Sequence, residues 1–209
     1  MKQADWYFDF ISPFAYLQFT RLKEFEGELE ITPIPIVFGV LLKHWGQLGP
    51  AEIEPKRAFT YRMTQWQADR AGIPFKMPPM HPFNPLPALR LCLAAGVSTE
   101  NIAAVWDVIF GQGLQADAPE AVMAMASALG IDDPQVAMAD ETVKSQLRRN
   151  TEKAVANKIY GVPTFLIDGE SFWGVDATDM VKDYLSNPGL FETTEMQRIS
   201  NMPMGISRK

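Results

Sequence analysis

Cysteine is almost absent from this chain of 209 residues, which holds a single one, Cys92. One thiol forms neither an internal disulfide nor a Cys-x-x-Cys pair, so dithiol–disulfide exchange by the chain alone is excluded. Its apolar neighbours Leu91 and Leu93 indicate that Cys92 packs in a core. A lone thiol and 11 methionines are typical of a reducing compartment, and we therefore expect a cytoplasmic protein.

Histidine and positive charge are also scarce. The two histidines, His44 and His81, have no spacing typical of metal ligands, so we predict no metal site. A net charge of −6 gives no electrostatic reason to expect a nucleic-acid partner. No apolar run approaches the roughly 20 residues that span a bilayer, and Met1–Asp5 leads directly into a strand. We therefore expect neither a membrane segment nor a signal peptide.

The first fifty residues predict a strand–helix–strand unit. Residues 4–11 are apolar on both faces, as expected for a central strand under helices. Ser12 and Pro13 then begin a helix that is predicted to reach Glu26, and a second strand follows over 29–37. Such a unit favours a parallel strand pair with a right-handed crossover.

The middle of the chain is predicted to be helical. Residues 39–50 resemble an exposed loop with a short helical piece, and residues 74–87 are too rich in proline for a helix or a central strand. In the first long helix, Phe59, Met63 and Trp66 share one face, which we interpret as core packing. The long helices are predicted over 56–71, 88–95, 99–110, 119–129, 133–139 and 141–159.

After Gly161 the pattern returns to strands. Thr164–Ile167 and Ser171–Trp173 flank Asp168-Gly169, which is the signature of a β-hairpin with a type I′ turn. A closing helix is predicted over 178–185.

This order predicts an α/β, thioredoxin-like fold that is interrupted by a large all-helical insertion. Residues 1–50 and 160–190 would form the thioredoxin-like domain, 51–159 the insertion, and 191–209 a polar, methionine-rich C-terminal tail. In such a fold, Pro163 would be a cis proline that faces the end of the first strand.

Ser12 and Ala15 occupy the positions where a thioredoxin-like fold normally carries a redox dithiol. What remains is a hydroxyl at a helix start with Pro163 opposite, and such a setting lowers the pKa of a thiol from its usual value of about 8.5. A Ser-Pro step by itself is an ordinary helix cap. In this context, however, it suggests a thiol that arrives with a cofactor, for which glutathione is the obvious candidate.

Two further features can hold the peptide part of glutathione. The backbone N–H and C=O of Val162 can pair with its cysteinyl unit as an added strand. Asp176 can accept from the γ-glutamyl ammonium, although an Asp at a helix start is more often a simple cap. The first N–H groups of the last helix can bind the γ-glutamyl carboxylate.

Four segments carry a family resemblance: Tyr7–Leu17, His81–Leu86, Asn150–Phe165 and Phe172–Asp176. Together they resemble the 2-hydroxychromene-2-carboxylate isomerases, which belong to the DsbA-like branch of the thioredoxin superfamily beside the kappa-class glutathione transferases. The likeness extends over residues 5–186 in the same order and with the same insertion.

The resemblance implies that glutathione is the cofactor and that Ser12 is the catalytic residue, donating to the glutathione sulfur. It implies that Lys43 holds a substrate carboxylate. Relatives often carry Asn where this chain has Gln47, and Arg or Ser where it has Ala177. The implied cofactor contacts are Ser12, Pro13, Gln47, Val162, Pro163, Asp176 and Ala177, and the implied substrate contacts are Phe14, Lys43 and His44.

The resemblance also implies a reaction. Reversible thiolate addition would interconvert a chromene-type carboxylate and its ring-opened trans-enone, in a homodimer whose partners are glutathione and a small aromatic carboxylate. Two alternatives stay open. One is a kappa-like glutathione transferase that conjugates electrophiles, and the other is a non-catalytic protein that binds a thiol or a peptide.

Overall fold

The computed structural model describes residues 1–206. Over this range four strands form one mixed sheet in the order β2-β1-β3-β4. β1 pairs in parallel with β2 and antiparallel with β3, which pairs antiparallel with β4. The strands are β1 Lys2–Phe8, β2 Leu29–Pro35, β3 Thr164–Ile167 and β4 Glu170–Trp173. β1 is therefore the central strand, as its apolar faces predict.

Within the described range the chain forms ten α-helices, and seven of them lie between β2 and β3. This order confirms the α/β, thioredoxin-like fold with a large helical insertion. None of the helices in the described range has the length and apolar content that a membrane crossing requires. The helices are α1 Pro13–Phe19, α2 Phe38–Trp45, α3 Glu54–Ala71, α4 Leu86–Ala95, α5 Thr99–Trp106, α6 Pro119–Ala128, α7 Pro134–Ala139, α8 Glu141–Ala156, α9 Thr178–Ser186 and α10 Thr194–Ser200.

An aromatic core joins β1 to the helical insertion. Trp6 stacks on Phe8 with ring centroids 4.7 Å apart, and Phe10 meets Trp106 of α5 edge-to-face at 4.7 Å. All four side chains are fully buried. Tyr7 faces the other side of the sheet, in a smaller cluster under α2 and α8. Because aromatic pairs add about 0.5–1.5 kcal/mol each beyond their buried area, this packing fixes the carboxyl end of β1 firmly.

β1 ends three residues earlier than predicted. Residues 9–11 leave the sheet in a turn, in which the N–H of Ser12 donates to the carbonyl of Asp9 at 3.0 Å. The carboxylate of Asp9 also accepts from the N–H of Ile11 at 3.1 Å. These turn bonds take the place of sheet hydrogen bonds, so the strand ends at Phe8. The apolar pattern of the sequence continues to Ile11 and therefore predicted a strand that was too long.

The first helix is also shorter than predicted, because α1 ends at Phe19. The hydroxyl of Thr20 donates back to the carbonyl of Leu17 at 2.8 Å, and a separate 3₁₀ turn, Leu22–Phe25, follows. α8 likewise ends at Ala156, before the predicted Ile159.

One predicted core face is exposed. Phe59 and Trp66 of α3 are 62% and 52% exposed, so the interpretation of this row as core packing was wrong. α3 instead buries the small residues Thr64 and Ala68, and this side of the helix contacts α1. The indole of Trp66 is partly covered by the guanidinium of Arg70, 4.9 Å from the ring centroid.

The hairpin and the segment after it are well defined. Asp168 and Gly169 have φ of 53° and 89°, which confirms the predicted type I′ turn. The predicted tail is not polar throughout, because Phe191 stacks on Tyr184 with ring centroids 5.7 Å apart, and α10 follows. Residues 207–209 of that tail lie outside the described range.

Candidate functional site

Ser12 is the N-cap of α1, as predicted, and its side chain is only 8% exposed. Its Oγ accepts from the N–H of Ala15 at 3.2 Å and, as a donor, reaches the carbonyl of Val162 at 3.5 Å. The Val162–Pro163 peptide bond is cis, as expected. The structure therefore brings Ser12 and the Val162–Pro163 segment together across 150 residues of sequence.

The residues on either side of Val162 are held by hydrogen bonds, whereas the backbone of Val162 itself makes only the long contact from Ser12 within the described range. The carbonyl of Pro163 accepts from the N–H of Gly174 at 2.9 Å, and the hydroxyl of Thr164 donates to the carbonyl of Gly161 at 2.8 Å. A Cβ at Gly161 would lie 2.3 Å from the indole nitrogen of Trp173, so only glycine fits there. In the described chain, the N–H of Val162 has no hydrogen-bond partner. An extended peptide can pair with this edge.

Asp9 is fully buried beneath the Ser12 turn. Its Oδ1 accepts from the N–H of Ile11, and its Oδ2 accepts from the N–H of Phe38 at 2.8 Å. Burial raises the pKa of this carboxyl to about 7, although the backbone donors favour the charged form. Asp9 thus ties the turn before Ser12 to the start of α2.

His81 supports the same turn from the helical insertion. Because the carbonyl of Ile11 can only accept, the Nε2–H of His81 donates to it, over 2.7 Å. Nδ1 lies 2.9 Å from the hydroxyl of Tyr61 on α3. Burial lowers the pKa of His81, which favours the neutral ring with its proton on Nε2. The one hydroxyl proton of Tyr61 is then shared between Nδ1 and the carbonyl of His81, which lies 2.7 Å from that hydroxyl. His81 therefore fixes the peptide that precedes Ser12.

Gln18 links α1 to the far end of the hairpin. The indole N–H of Trp6 donates to its Oε1 at 2.8 Å, while its Nε2 donates to the carbonyl of Gly174 at 2.9 Å and to the hydroxyl of Thr178 at 3.1 Å. The Gln18 side chain is fully buried and uses both ends of its amide. The helix that carries Ser12 is consequently locked to the segment that carries Asp176.

Asp176 lies in a 3₁₀ turn, Val175–Ala177, immediately before α9. Its carboxylate is exposed and has no hydrogen bond or ion pair with the rest of residues 1–206. The N–H of Ala177 donates to the carbonyl of Gly174 at 3.2 Å, so it is not available to a ligand as predicted. The N–H of Thr178 in turn donates to the carbonyl of Val175, so both N–H groups that lead into α9 are used within the turn.

The remaining predicted residues divide between the core and the surface. Phe14 packs against the aromatic core and Pro13 is buried beside it. Lys43, His44 and Gln47 are exposed at and just beyond the end of α2, and none is bonded to Ser12 in the described structure. The indole of Trp45 donates to the carbonyl of Ile159 at 2.9 Å, which holds this end of α2 beside the chain that leads to Val162.

Sequence reasoning missed Asp9, His81 and Gln18 as site residues. The sequence carries a signal for each: Asp9 and Gln18 are polar residues inside apolar patterns, and His81 is the first residue of the His81–Leu86 segment. A buried polar side chain that is fully hydrogen-bonded commonly specifies a unique local geometry. Here all three specify the surroundings of Ser12.

The open groove of about 620 Å³ between α2, α4 and α8 shares no lining residue with this site. A smaller cavity of about 210 Å³ includes Asp176. Cys92 is fully buried, as predicted, and burial raises the pKa of its thiol to about 12. Cys92 is therefore not the nucleophile.

The chain belongs to the DSBA-like thioredoxin domain family, whose model matches residues 3–186. A 2-hydroxychromene-2-carboxylate isomerase from Sphingobium xenophagum is 26% identical over 88% of this chain and 98% of the relative. The glutathione S-transferase kappa 2 of Caenorhabditis elegans is 27% identical over 90% of this chain and 93% of the relative. A solved 2-hydroxychromene-2-carboxylate isomerase superimposes with a TM-score of 0.77 at 23% identity, over 89% of this chain and 95% of the other.

Proposed function

We propose that the protein is a glutathione-dependent isomerase that interconverts a 2-hydroxychromene-2-carboxylate-like acid and its ring-opened trans-enone. The observation that carries the proposal is the nearly buried hydroxyl of Ser12, which stands beside the cis Val162–Pro163 segment where a dithiol would otherwise lie. The names of the isomerase relatives support the choice of reaction.

The residues present fit glutathione at three points. Ser12 can donate to the sulfur. The unpaired N–H of Val162 and its C=O, which carries only the long contact from Ser12 in the described range, can pair with the cysteinyl backbone. The unpaired carboxylate of Asp176 can accept from the γ-glutamyl ammonium. When bound, glutathione would supply a thiolate nucleophile that is regenerated in each cycle.

The chain's contribution begins with Ser12. In the free protein its hydroxyl makes a long contact to the Val162 carbonyl, so turning it toward an anionic sulfur costs little. A donor fixed next to a sulfur lowers the pKa of a thiol and holds the thiolate form at neutral pH. Because Asp9 and His81 pin the preceding turn, the orientation of Ser12 is set before any ligand binds.

We assign recognition of the substrate carboxylate to Lys43, and further substrate contacts to His44 and Phe14. The proposal needs an exposed cation that moves freely, and the ammonium of Lys43 has no ion-pair partner in the described range. Gln47, just beyond α2, can offer its amide to the glycyl end of glutathione.

The kappa-class transferase in C. elegans, which aligns over the same span, makes conjugation of electrophiles a second candidate. A product assay separates the two reactions. Incubation of the chromene carboxylate with catalytic glutathione should give the trans-enone while total glutathione stays constant over many turnovers. Stoichiometric loss of glutathione would instead establish conjugation. An absence of any turnover with intact ligand affinity would support the non-catalytic binding protein.

We also propose a homodimer in the cytoplasm. The dimer rests on the resemblance to the isomerases, and the compartment on a single cysteine that is buried and inert. Light scattering on the purified protein should give twice the chain mass of 23.4 kDa. A monomeric mass at micromolar concentration would contradict the dimer.

A further inference from the structure

A cavity of about 210 Å³ opens between α1, α3 and the 3₁₀ turn that carries Asp176. Its apolar wall includes Leu17 of α1 and Val175 of the turn. Three polar side chains complete it: Arg21, which follows α1, Gln67 of α3, and Asp176. Gln67 thus belongs to the helical insertion, whereas Arg21 and Asp176 belong to the elements that surround the sheet.

The polar groups of this cavity have unused hydrogen-bonding capacity. The Oε1 of Gln67 is a buried acceptor with no hydrogen-bond partner among residues 1–206. A buried acceptor without a donor is costly and rare, so it calls for an explanation. Asp176 offers a whole carboxylate to the same space, and this carboxylate is also unpaired in the described structure.

Arg21 contributes the opposite charge. Its Nε and Nη2 are held by Glu24, and Nη2 also reaches Asp179 of α9 at 2.6 Å. Its Nη1 has no hydrogen-bond partner in the described range. The guanidinium is thereby fixed in place, with one of its donor nitrogens still available.

Two acceptors, one of them anionic, next to a fixed cationic donor match the head of an α-amino acid. The ammonium group needs acceptors on more than one side, and the carboxylate needs a donor. A metal ion would find a single carboxylate and an amide oxygen here, which is too few ligands for a protein site.

Two segments of the chain place this cavity near Ser12. Leu17 lies five residues after Ser12 along the chain, a rise of about 7 Å along α1. On the other side, Gly174 donates its N–H to the carbonyl of Pro163, and Asp176 follows two residues later. A γ-glutamyl group joined to a cysteine at Ser12 therefore extends toward this cavity.

We propose that Gln67, Arg21 and Asp176 form a subsite for the α-amino-acid head of a γ-glutamyl thiol, and that Gln67 is a specificity-determining residue of this subsite. Gln67 Oε1 and Asp176 accept from the ammonium, and Arg21 Nη1 donates to the α-carboxylate. The inference rests on the proposed use of glutathione, to which it adds two residues that the resemblance does not assign.

The test is calorimetric titration of the full chain with three probes: glutathione, N-glutaryl-Cys-Gly, which lacks the α-amino group, and N-(4-aminobutanoyl)-Cys-Gly, which lacks the α-carboxylate. The variants are Gln67→Leu, which removes the acceptor, and Gln67→Glu, which keeps one. Gln65→Leu is the matched control, because Gln65 is exposed on the same helix and bonds only Asp69 in the described structure. Thermal melts establish that each variant is folded.

We expect Gln67→Leu to weaken glutathione binding by about ten- to a hundredfold, as for the loss of a hydrogen bond to a charged group. Gln67→Glu should bind within about threefold of the wild type, and Gln65→Leu should be unchanged. The N-glutaryl probe should bind wild type and Gln67→Leu equally. Arg21→Met should weaken glutathione binding but leave the 4-aminobutanoyl probe unaffected.

The two ideas fail in different ways. If the wild type does not bind glutathione, the proposed function falls and the subsite with it. If the wild type binds glutathione and folded Gln67→Leu binds it equally well, the subsite alone is overturned. A Gln67→Leu defect that persists with the N-glutaryl probe would also overturn it, because the contact would not be to the ammonium.

Discussion

The two sides of the candidate site are built differently. On the Ser12 side, Asp9, Gln18 and His81 each use both ends of a buried or half-buried polar side chain. On the other side, Lys43 and Gln47 stand exposed at the end of α2, and the indole of Trp45 anchors that end.

Under the proposed function, this difference fits two separate tasks, the chemical step on one side and substrate recognition on the other. A chemical step gains from groups that are already oriented, because no ordering remains to be done in the transition state. Recognition of a variable substrate gains from side chains that are free to adapt. Under the proposed function, the hydrogen-bonded side therefore suits the thiolate, and the exposed side suits the substrate carboxylate. Substitutions on each side should expose this contrast.

The largest effect is expected for Ser12→Ala. Loss of one positioned donor to an anion should lower kcat by about ten- to a thousandfold. The bound glutathione thiol should also titrate at higher pH, which ultraviolet absorbance of the thiolate measures directly.

Ser12 also caps α1, and Ser98→Ala controls for that role. Ser98 is the N-cap of α5 and accepts from the N–H of Asn101 at 3.1 Å, so its replacement removes the same kind of cap. Both variants should lose about 0.5–2 kcal/mol of stability, but only Ser12→Ala should lose activity. Equal activity in the two variants would reduce Ser12 to a cap.

The next largest effect is expected for Asp9→Asn, which should lower the stability of the fold. Its amide NH₂ would face a backbone N–H of Ile11 or Phe38, and we expect a loss of about 1–3 kcal/mol in the free energy of unfolding near neutral pH.

The wild type should also show a pH dependence that this variant lacks. The pKa of Asp9 rises from 3.8 to about 7 on folding, so between these values the folded state binds a proton that the unfolded state has released. This contribution to stability is fully present below about pH 4 and is lost as the pH rises through 7, with a slope of up to about 1.4 kcal/mol per pH unit. Urea titrations from pH 4 to 8 measure it, and an equal slope in Asp9→Asn would refute the assignment.

The smallest effect is expected on the open side. Lys43→Met should raise the KM for the carboxylate substrate by about three- to tenfold, since an exposed ion pair with a ligand is worth little, and kcat should hardly change. Stability should stay within about 0.5 kcal/mol. Lys56→Met, on the exposed side of α3, is the matched control. A larger fall in kcat than in affinity would move Lys43 to the chemical step.

Much of the fold and part of the candidate site can be predicted from the sequence. The strand–helix–strand start, the hairpin at Asp168-Gly169 and the cap at Ser12 each depend on local preferences of the backbone. The cis bond before Pro163 follows from the fold that these elements define. Local preferences act over a few residues, so a single sequence reveals them.

The hydrogen bonds that hold the turn before Ser12 could not be predicted, because they join residues that are far apart in the sequence. The bond from Phe38 to Asp9 spans 29 residues and that from His81 to the Ile11 carbonyl spans 70, so no spacing rule connects the partners. The spacing of Phe59, Met63 and Trp66 correctly predicts a helix but not which side of it is buried. The buried side of α3 is the one that carries the small residues Thr64 and Ala68.

The central position of β1 has a consequence for the nascent chain. Its second neighbour in the sheet, β3, is synthesised about 160 residues later, which at 5–20 residues per second takes about 8–32 s. Throughout that interval the aromatic segment Trp6–Phe8 has one unpaired edge, the kind of edge that other strands readily join. β3 closes this edge only after the whole helical insertion has been synthesised.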